Sequence, residues 1–289
     1  MPLSVVDAVP VGLRALSFVA VLQAAGVPLF LWLFGDELQR SARSIAALAR
    51  GTAVVGLILT IAHQIVEPAR LAGALRGIFD GPLQAMLLTS DAGTTAAVRV
   101  LGLAMVALGC VRFSRFGAAV ALVGSTLIVA SFAFMGHTAS HDQRWLLASL
   151  LILHLTVVAF WFGALGPFYL ASRHEELVSN GLIIERFSKL AVGLVPVIFV
   201  AGLALSLVLL PNLASLRTPY GLLLLLKVTG FAILMGLAAL NKLRLGPLIS
   251  SGRATALRSF RRSVLVEWVL VAGVLITTAA MTELFSPGH

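Results

Sequence analysis

The stretch RWLLASLLILHLTVVAFWFGALGPFYL, residues 144–170, decides the fold. After Arg144 it contains no Lys, Arg, Asp or Glu, and its one histidine is His154. A helix that crosses the hydrocarbon core of a bilayer needs roughly 20 mainly apolar residues, and this run exceeds that length. Working outward, comparable runs occupy residues 11–34, 44–66, 94–111, 116–136, 187–210, 220–243 and 262–284. The sequence therefore predicts an all-α, polytopic transmembrane bundle of about eight spanning helices.

Composition leads to the same class. Of 289 residues, 59% are apolar and only 11% charged, and the mean hydropathy is +1.02. A water-facing surface of ordinary charge density cannot be built from that inventory, so the solvent is lipid. Spanning runs follow one another closely enough that a single membrane domain over 1–289 is expected. Residues 67–93 form the longest connection, and its apolar piece at 83–88 is too short to span, so it reads as an interfacial or re-entrant helix. The N-terminus lacks a basic segment and a small-residue cleavage site ahead of its apolar run, and the first helix is read as retained.

The formal net charge is +9 and the isoelectric point about 11.2, which in a soluble protein would raise the question of nucleic acid. Here the basic residues sit between apolar runs, where they act as topology signals, and no nucleic-acid partner is assigned. Arg40 and Arg43 mark the first loop, Arg112 and Arg115 the third, Arg173, Arg186 and Lys189 the fifth, and Lys242, Arg244, Arg253, Arg258, Arg261 and Arg262 the seventh. The even loops are poorer, with Arg70 and Arg76, then Arg144, then Arg217. Odd loops are thus expected in the cytoplasm and both termini outside, which puts Met135, His137 and His141 at the outer surface.

Cys110 is the single cysteine, which excludes an intramolecular disulfide and any CxxC motif. Metal chemistry must use His, Met and carboxylate. No GxSxG, P-loop, GxGxxG or HExxH stands in a usable context, so nucleophilic catalysis is not indicated and no enzyme is expected.

Polar groups inside the membrane are costly and call for a reason. His154 lies ten residues past Arg144, about 15 Å down at 1.5 Å per residue. Either it hydrogen-bonds a backbone carbonyl between helices or it serves a passing ion. Trp161 follows on the same face, and Gly163 and Gly166 allow a neighbouring helix close. At the outer end of the fourth run, His137 and His141 stand at i and i+4, where two imidazoles can share a metal, with Met135 adding a soft thioether; a merely solvated loop is the alternative. His63 and Glu67 repeat that spacing on the second run, where a carboxylate can orient a ligating imidazole or make a plain hydrogen bond. Arg99 is expected to snorkel outward, Glu267 to meet Lys189 or Arg186, and Lys227 has no evident partner. Met105 and Cys110 are five apart and read as core packing.

The segments GHTASHDQRW (136–145), RFSKLAVGLVPVIFVAGL (186–203), TPYGLLLLLKVTGF (218–231), ALNKLRLGPL (239–248) and LRSFRRSVLVEWVLVAGVLITTAA (257–280) follow one another in the chain. Together with 144–170 they resemble, over about 136–285, the CopD family of bacterial copper-resistance and copper-uptake inner-membrane proteins. The resemblance implies copper handling, with His137 and His154 as the foremost functional histidines. The leading reading is then transport of copper, as Cu(I) or Cu(II), from periplasm to cytoplasm, captured outside at His137 with His141, Met135 and His63 as candidates and passing His154. Tyr220, Lys227, Asn241, Arg262 and Glu267 match recurring family positions without an assigned ligand role. Where the family usually reads W-x-G-G, this chain has Trp161-Phe162-Gly163-Ala164, a departure that bears on packing. A CopC-like copper carrier would be a separate periplasmic chain. Two other readings stand beside transport: a b-type haem electron-transfer protein ligated by two of His63, His137 and His154, and an assembly partner without metal. The depth of His154 below the other two disfavours haem.

Overall fold

A computed structural model describes residues 5–111, 114–134, 143–209 and 213–284. Among the described residues the elements are α1 (Val5–Phe34), α2 (Ala42–Leu71), α3 (Gly81–Leu88), α4 (Asp91–Gly109), α5 (Arg115–Ala130), α6 (Arg144–His174), α7 (Leu177–Leu209), α8 (Pro219–Leu240), α9 (Gly246–Ser250) and α10 (Ala254–Leu284). Short 3-10 turns and one π turn join them, and no strand occurs among these residues. Among the described residues, eight helical spans are long and apolar enough to cross a membrane; the chain is a multi-pass membrane protein, as its apolar runs require.

Each expected run is found, and most extend past the apolar limit. α7 begins at Leu177 and α10 at Ala254, because basic and polar residues outside the hydrocarbon still form helix well. A 30-residue helix such as α1 or α2 is about 45 Å long, more than the roughly 30 Å hydrocarbon core, so its ends carry polar chemistry outside the lipid tails. Ends are set by local hydrogen bonds. Ser90 Oγ accepts from the Ala92 amide at 3.1 Å and Ser114 Oγ from Gly117 at 3.0 Å, capping α4 and α5. α2 closes on Gly73 at φ +64, a left-handed position that lets the Ala74 amide return to the Ala69 carbonyl at 3.1 Å. The piece at 83–88 is helical, as α3, and is capped by Asp80 Oδ1 on the Leu83 amide at 3.0 Å.

α1 is the hub, packed on α2, α5, α6 and α10. Of its apolar window 67% is buried by protein, against 6% for the α8 span, whose apolar faces are left for lipid. α1 approaches α6 most closely at Gly26 and Gly163, where a Cβ on Gly163 would lie 2.3 Å from the Gly26 Cα. Only hydrogen side chains permit that separation. The contact is reinforced by Gln23, which donates from Nε2 to the Gly163 carbonyl at 3.2 Å and accepts from Trp268 Nε1 of α10 at 2.9 Å. α7 packs on α6 and α9 rather than on α8, and a cavity of about 340 Å³ opens among α6, α7, α8 and α10.

Candidate metal site

At one end of the bundle, α2 presents His63 and Glu67 one turn apart, and the last turn of α10 brings Glu283 beside them. Donor atoms of the three side chains lie within 4.8 Å of one another. His63 Nε2 is 3.7 Å from Glu67 Oε2, which is too long for a hydrogen bond. Both atoms are buried and have no hydrogen-bond partner among the described residues. An orphaned ring nitrogen facing an orphaned carboxylate oxygen is costly in a fold, and it is the arrangement a cation would satisfy.

Arginines surround the three donors. Arg70 donates from Nε to Glu67 Oε1 at 2.9 Å and stands 3.6 Å from Glu283 Oε1. Arg14 of α1 pairs with the other Glu283 oxygen, and Arg99 of α4 is near enough for its field to reach His63. Arg70 and Arg14 pair with Glu67 Oε1 and the Glu283 oxygens and leave Glu67 Oε2, which faces His63, without a hydrogen bond. More arginines than carboxylates line the cluster, and a cation held there is therefore held loosely.

Of the residues singled out in the sequence, the structure brings His63 and Glu67 together, and it adds Glu283, Arg14 and Arg70. Glu283 carries no signal in the sequence beyond being an acid at the end of a spanning run, and its role depends on which helix α10 packs beside. Met135, His137 and His141 lie outside the described residues. The described chain leads toward them from Ser131–Phe134 at the same end, where Ser131 Oγ accepts from Arg99 Nε at 3.0 Å and the Arg99 guanidinium sits 4.3 Å above the Phe132 ring. Arg99 thus does not snorkel outward; a hydroxyl and an aromatic face hold it inside the bundle.

His154 belongs to a different interface. Its Nδ1 is 3.2 Å from the Ile198 carbonyl on α7, and it packs on Gly202, where a Cβ would stand 3.3 Å from the ring. Bonding through Nδ1 to a carbonyl fixes the tautomer with Nδ1–H and leaves Nε2 as the ring's acceptor. His63 and His154 have separate neighbours. Cys110 is half-buried at the opposite end of the bundle, beside Arg40, Arg43 and Arg50.

Glu267 does not meet Lys189 or Arg186. Lys189 pairs with Glu185 one turn away at 2.7 Å, and Arg186 with Glu37 after α1. Glu267 is instead 3% exposed; it accepts from Asn241 Nδ2 and lies 3.5 Å from Ser263 Oγ. Asn241 is turned inward by the π segment Asn241–Leu245, in which the Gly246 amide bonds the Asn241 carbonyl five residues back. Pro247, lacking an N–H, cannot continue the α ladder there, and the wider turn absorbs the break.

Two family models match the chain: one described as copper resistance protein D over residues 181–281, and one described as copper resistance protein D-like, N-terminal domain, over residues 5–145. The chain is 27% identical over 289 residues to the copper transport protein CutJ of Bacillus subtilis (strain 168), covering 95% of this chain and 52% of that protein. It is 29% identical over 250 residues to copper resistance protein D of Pseudomonas syringae pv. tomato, covering 79% of this chain and 81% of that one. The chain thus spans about half the length of the Bacillus protein. No solved structure matches.

Proposed function

The chain belongs to the copper resistance protein D family, and on that premise we propose that it carries copper across a bacterial inner membrane from the periplasm to the cytoplasm. The observation that supports this reading is the buried, unpartnered facing of His63 Nε2 and Glu67 Oε2 with Glu283 beside them. One imidazole and two carboxylates form a nitrogen–oxygen donor set, which suits Cu(II) better than Cu(I). Arg14 and Arg70 neutralise the carboxylates before the ion arrives and weaken its hold afterwards, as a site that passes its cargo on requires. In this reading His137, His141 and Met135 assist capture at the same end, and His154, with Nδ1 bonded to Ile198, offers Nε2 deeper in the membrane. A separate periplasmic CopC-like carrier is the partner that would deliver the ion.

The test is Cu(II) titration of the purified protein in lipid nanodiscs, with copper accumulation in cells measured in parallel. His63→Ala should weaken Cu(II) binding at least about tenfold, in line with loss of a ligand or of its orienting group, and Glu283→Gln should weaken it less. Affinity should fall in acid, where protons compete with the ion for the imidazole and carboxylate donors. His154→Ala should bind copper at the outer end yet fail to accumulate it. Unchanged affinity in a His63→Ala, Glu283→Gln double variant would reject the capture site.

A further inference from the structure

Glu267 is a buried carboxyl without a countercharge. Among the described residues no Lys, Arg or His nitrogen stands at ion-pair distance from it. Its partners are an amide, a hydroxyl and an indole: Asn241 Nδ2 donates to Oε1, Ser263 Oγ is 3.5 Å from the same oxygen, and the Trp161 indole N–H also donates to the carboxyl. Asn241 is 9% exposed, and its Oδ1 is buried with no partner. Both residues line the cavity of about 340 Å³ among α6, α7, α8 and α10.

These observations fit one protonation state. An ionised Glu267 would leave a charge with no countercharge in a largely apolar surround and would offer nothing to Asn241 Oδ1, since a carboxylate only accepts. A protonated Glu267 removes the charge and turns its second oxygen into a donor. Acid and amide then pair through two antiparallel hydrogen bonds, Nδ2–H to Oε1 and Oε2–H to Oδ1, and the orphaned oxygen is satisfied. We propose that Glu267 and Asn241 form a proton-binding site on this cavity, loaded at neutral pH, whose proton is exchanged for a cation that enters the cavity. In that exchange the Oε2–H bond breaks, the proton leaves to water, and the carboxylate charge is taken up by the cation, so the site's net charge gains only what the cation carries beyond one unit.

The surroundings favour the neutral acid at rest and set the conditions for exchange. α6 and α7 contribute Trp161, Phe187 and Ser188 to the lining and no charge; α8 with its π segment contributes Lys242, and α10 only Glu267 itself. α9 carries no ionisable residue, and α1, which also packs on α10, carries Asp7 and Arg14 near its far end, with Gln23 where it meets Trp268. Lys242 is the one lining cation, and it repels a second positive charge until Glu267 ionises. The exchange step rests on the copper-transport reading; the loaded proton does not.

Infrared spectroscopy of the protein in nanodiscs tests both. A carbonyl band of a protonated carboxyl is expected at neutral pH, absent in Glu267→Gln and moved to higher frequency in Asn241→Leu, which removes the acceptor. Glu267→Gln should stay folded, because its amide supplies the same donor to Asn241 Oδ1. Absence of a Glu267-dependent band at neutral pH overturns the proton site. A band that persists at saturating copper, in protein whose outer site binds the ion, overturns the exchange. Failure of the outer site to bind copper would reject the transport reading instead, and the neutral-pH band would still decide the proton site.

Discussion

Glu175, the residue after α6, reaches back to the turn between α1 and α2. Its Oε1 accepts from the amides of Arg40 at 2.9 Å and Ser41 at 2.7 Å and from Ser41 Oγ at 2.6 Å. Burial opposes its ionisation, but the Ser41 hydroxyl, the two amides and the nearby Arg40 charge outweigh burial and hold the carboxyl below its ordinary value. A carboxyl lowered in the folded state contributes stability above its unfolded value of about 4.3, and that contribution is lost as pH falls through the folded value. Glu175→Gln should therefore cost about 1.5–3 kcal/mol at neutral pH, the range for hydrogen bonds to a charged group. The deficit against the parent should shrink in acid. Thermal unfolding of both proteins in one detergent across that pH range checks it, and a pH-independent difference would show that ionisation of Glu175 does not matter.

At the scale of helices, the α1–α6 contact controls how the bundle closes. A Cβ on Gly163 would meet backbone, 2.3 Å from the Gly26 Cα, and one on Gly26 would stand 1.8 Å from the Ala159 carbonyl oxygen. Neither atom can move aside without separating two helices. Gly163→Ala should destabilise by at least about 1–3 kcal/mol, the usual cost of overpacking. Gly166→Ala meets the flexible end of Leu48 at 2.6 Å and should cost less. Gly51→Ala, on α2 with nothing within 4 Å, should be neutral or gain up to about 1 kcal/mol from helix propensity. Melting temperatures should rise in the order Gly163→Ala, Gly166→Ala, Gly51→Ala. Parity of Gly163→Ala with its parent would mean that the helices do not approach so closely. The sequence marks Gly163 and Gly166 as permissive, but it does not say which helix takes advantage of each.

For the molecule as a whole, the charge pattern assigns the two ends of the bundle. Arg40, Arg43 and Arg50 gather near Cys110 at one end, while His63, Glu67 and Glu283 cluster at the other. In the orientation we propose, which follows the positive-inside rule, the first end faces the cytoplasm. In a Cys110→Ala background, a cysteine at Thr89, past the end of α3, should be modified by an impermeant thiol reagent in intact spheroplasts. A cysteine at Ser251, past α9, should react only after permeabilisation. The reverse labelling would invert the molecule and make the His63 cluster an exit rather than an entry.

Number and rough extent of the spans were decided by the sequence alone, because a lipid solvent imposes a minimum apolar length on each helix separately and no partner is needed to read it. The local pair of His63 with Glu67 was legible for the same reason, since it follows from helical spacing, whereas Glu185, one turn from Lys189, takes that lysine away from the Glu267 it was expected to meet. What tertiary structure alone decided is which faces meet. Glu283, Arg14 and Gln23 become part of a site or a helix contact only because α10 and α1 pack where they do, at sequence separations of 269 for Arg14 with Glu283 and 245 for Gln23 with Trp268. In lipid every helix is apolar nearly all round, so hydrophobic pattern no longer points a face inward. Close packing and the satisfaction of a few polar groups choose the neighbours instead, and both are properties of the assembled bundle.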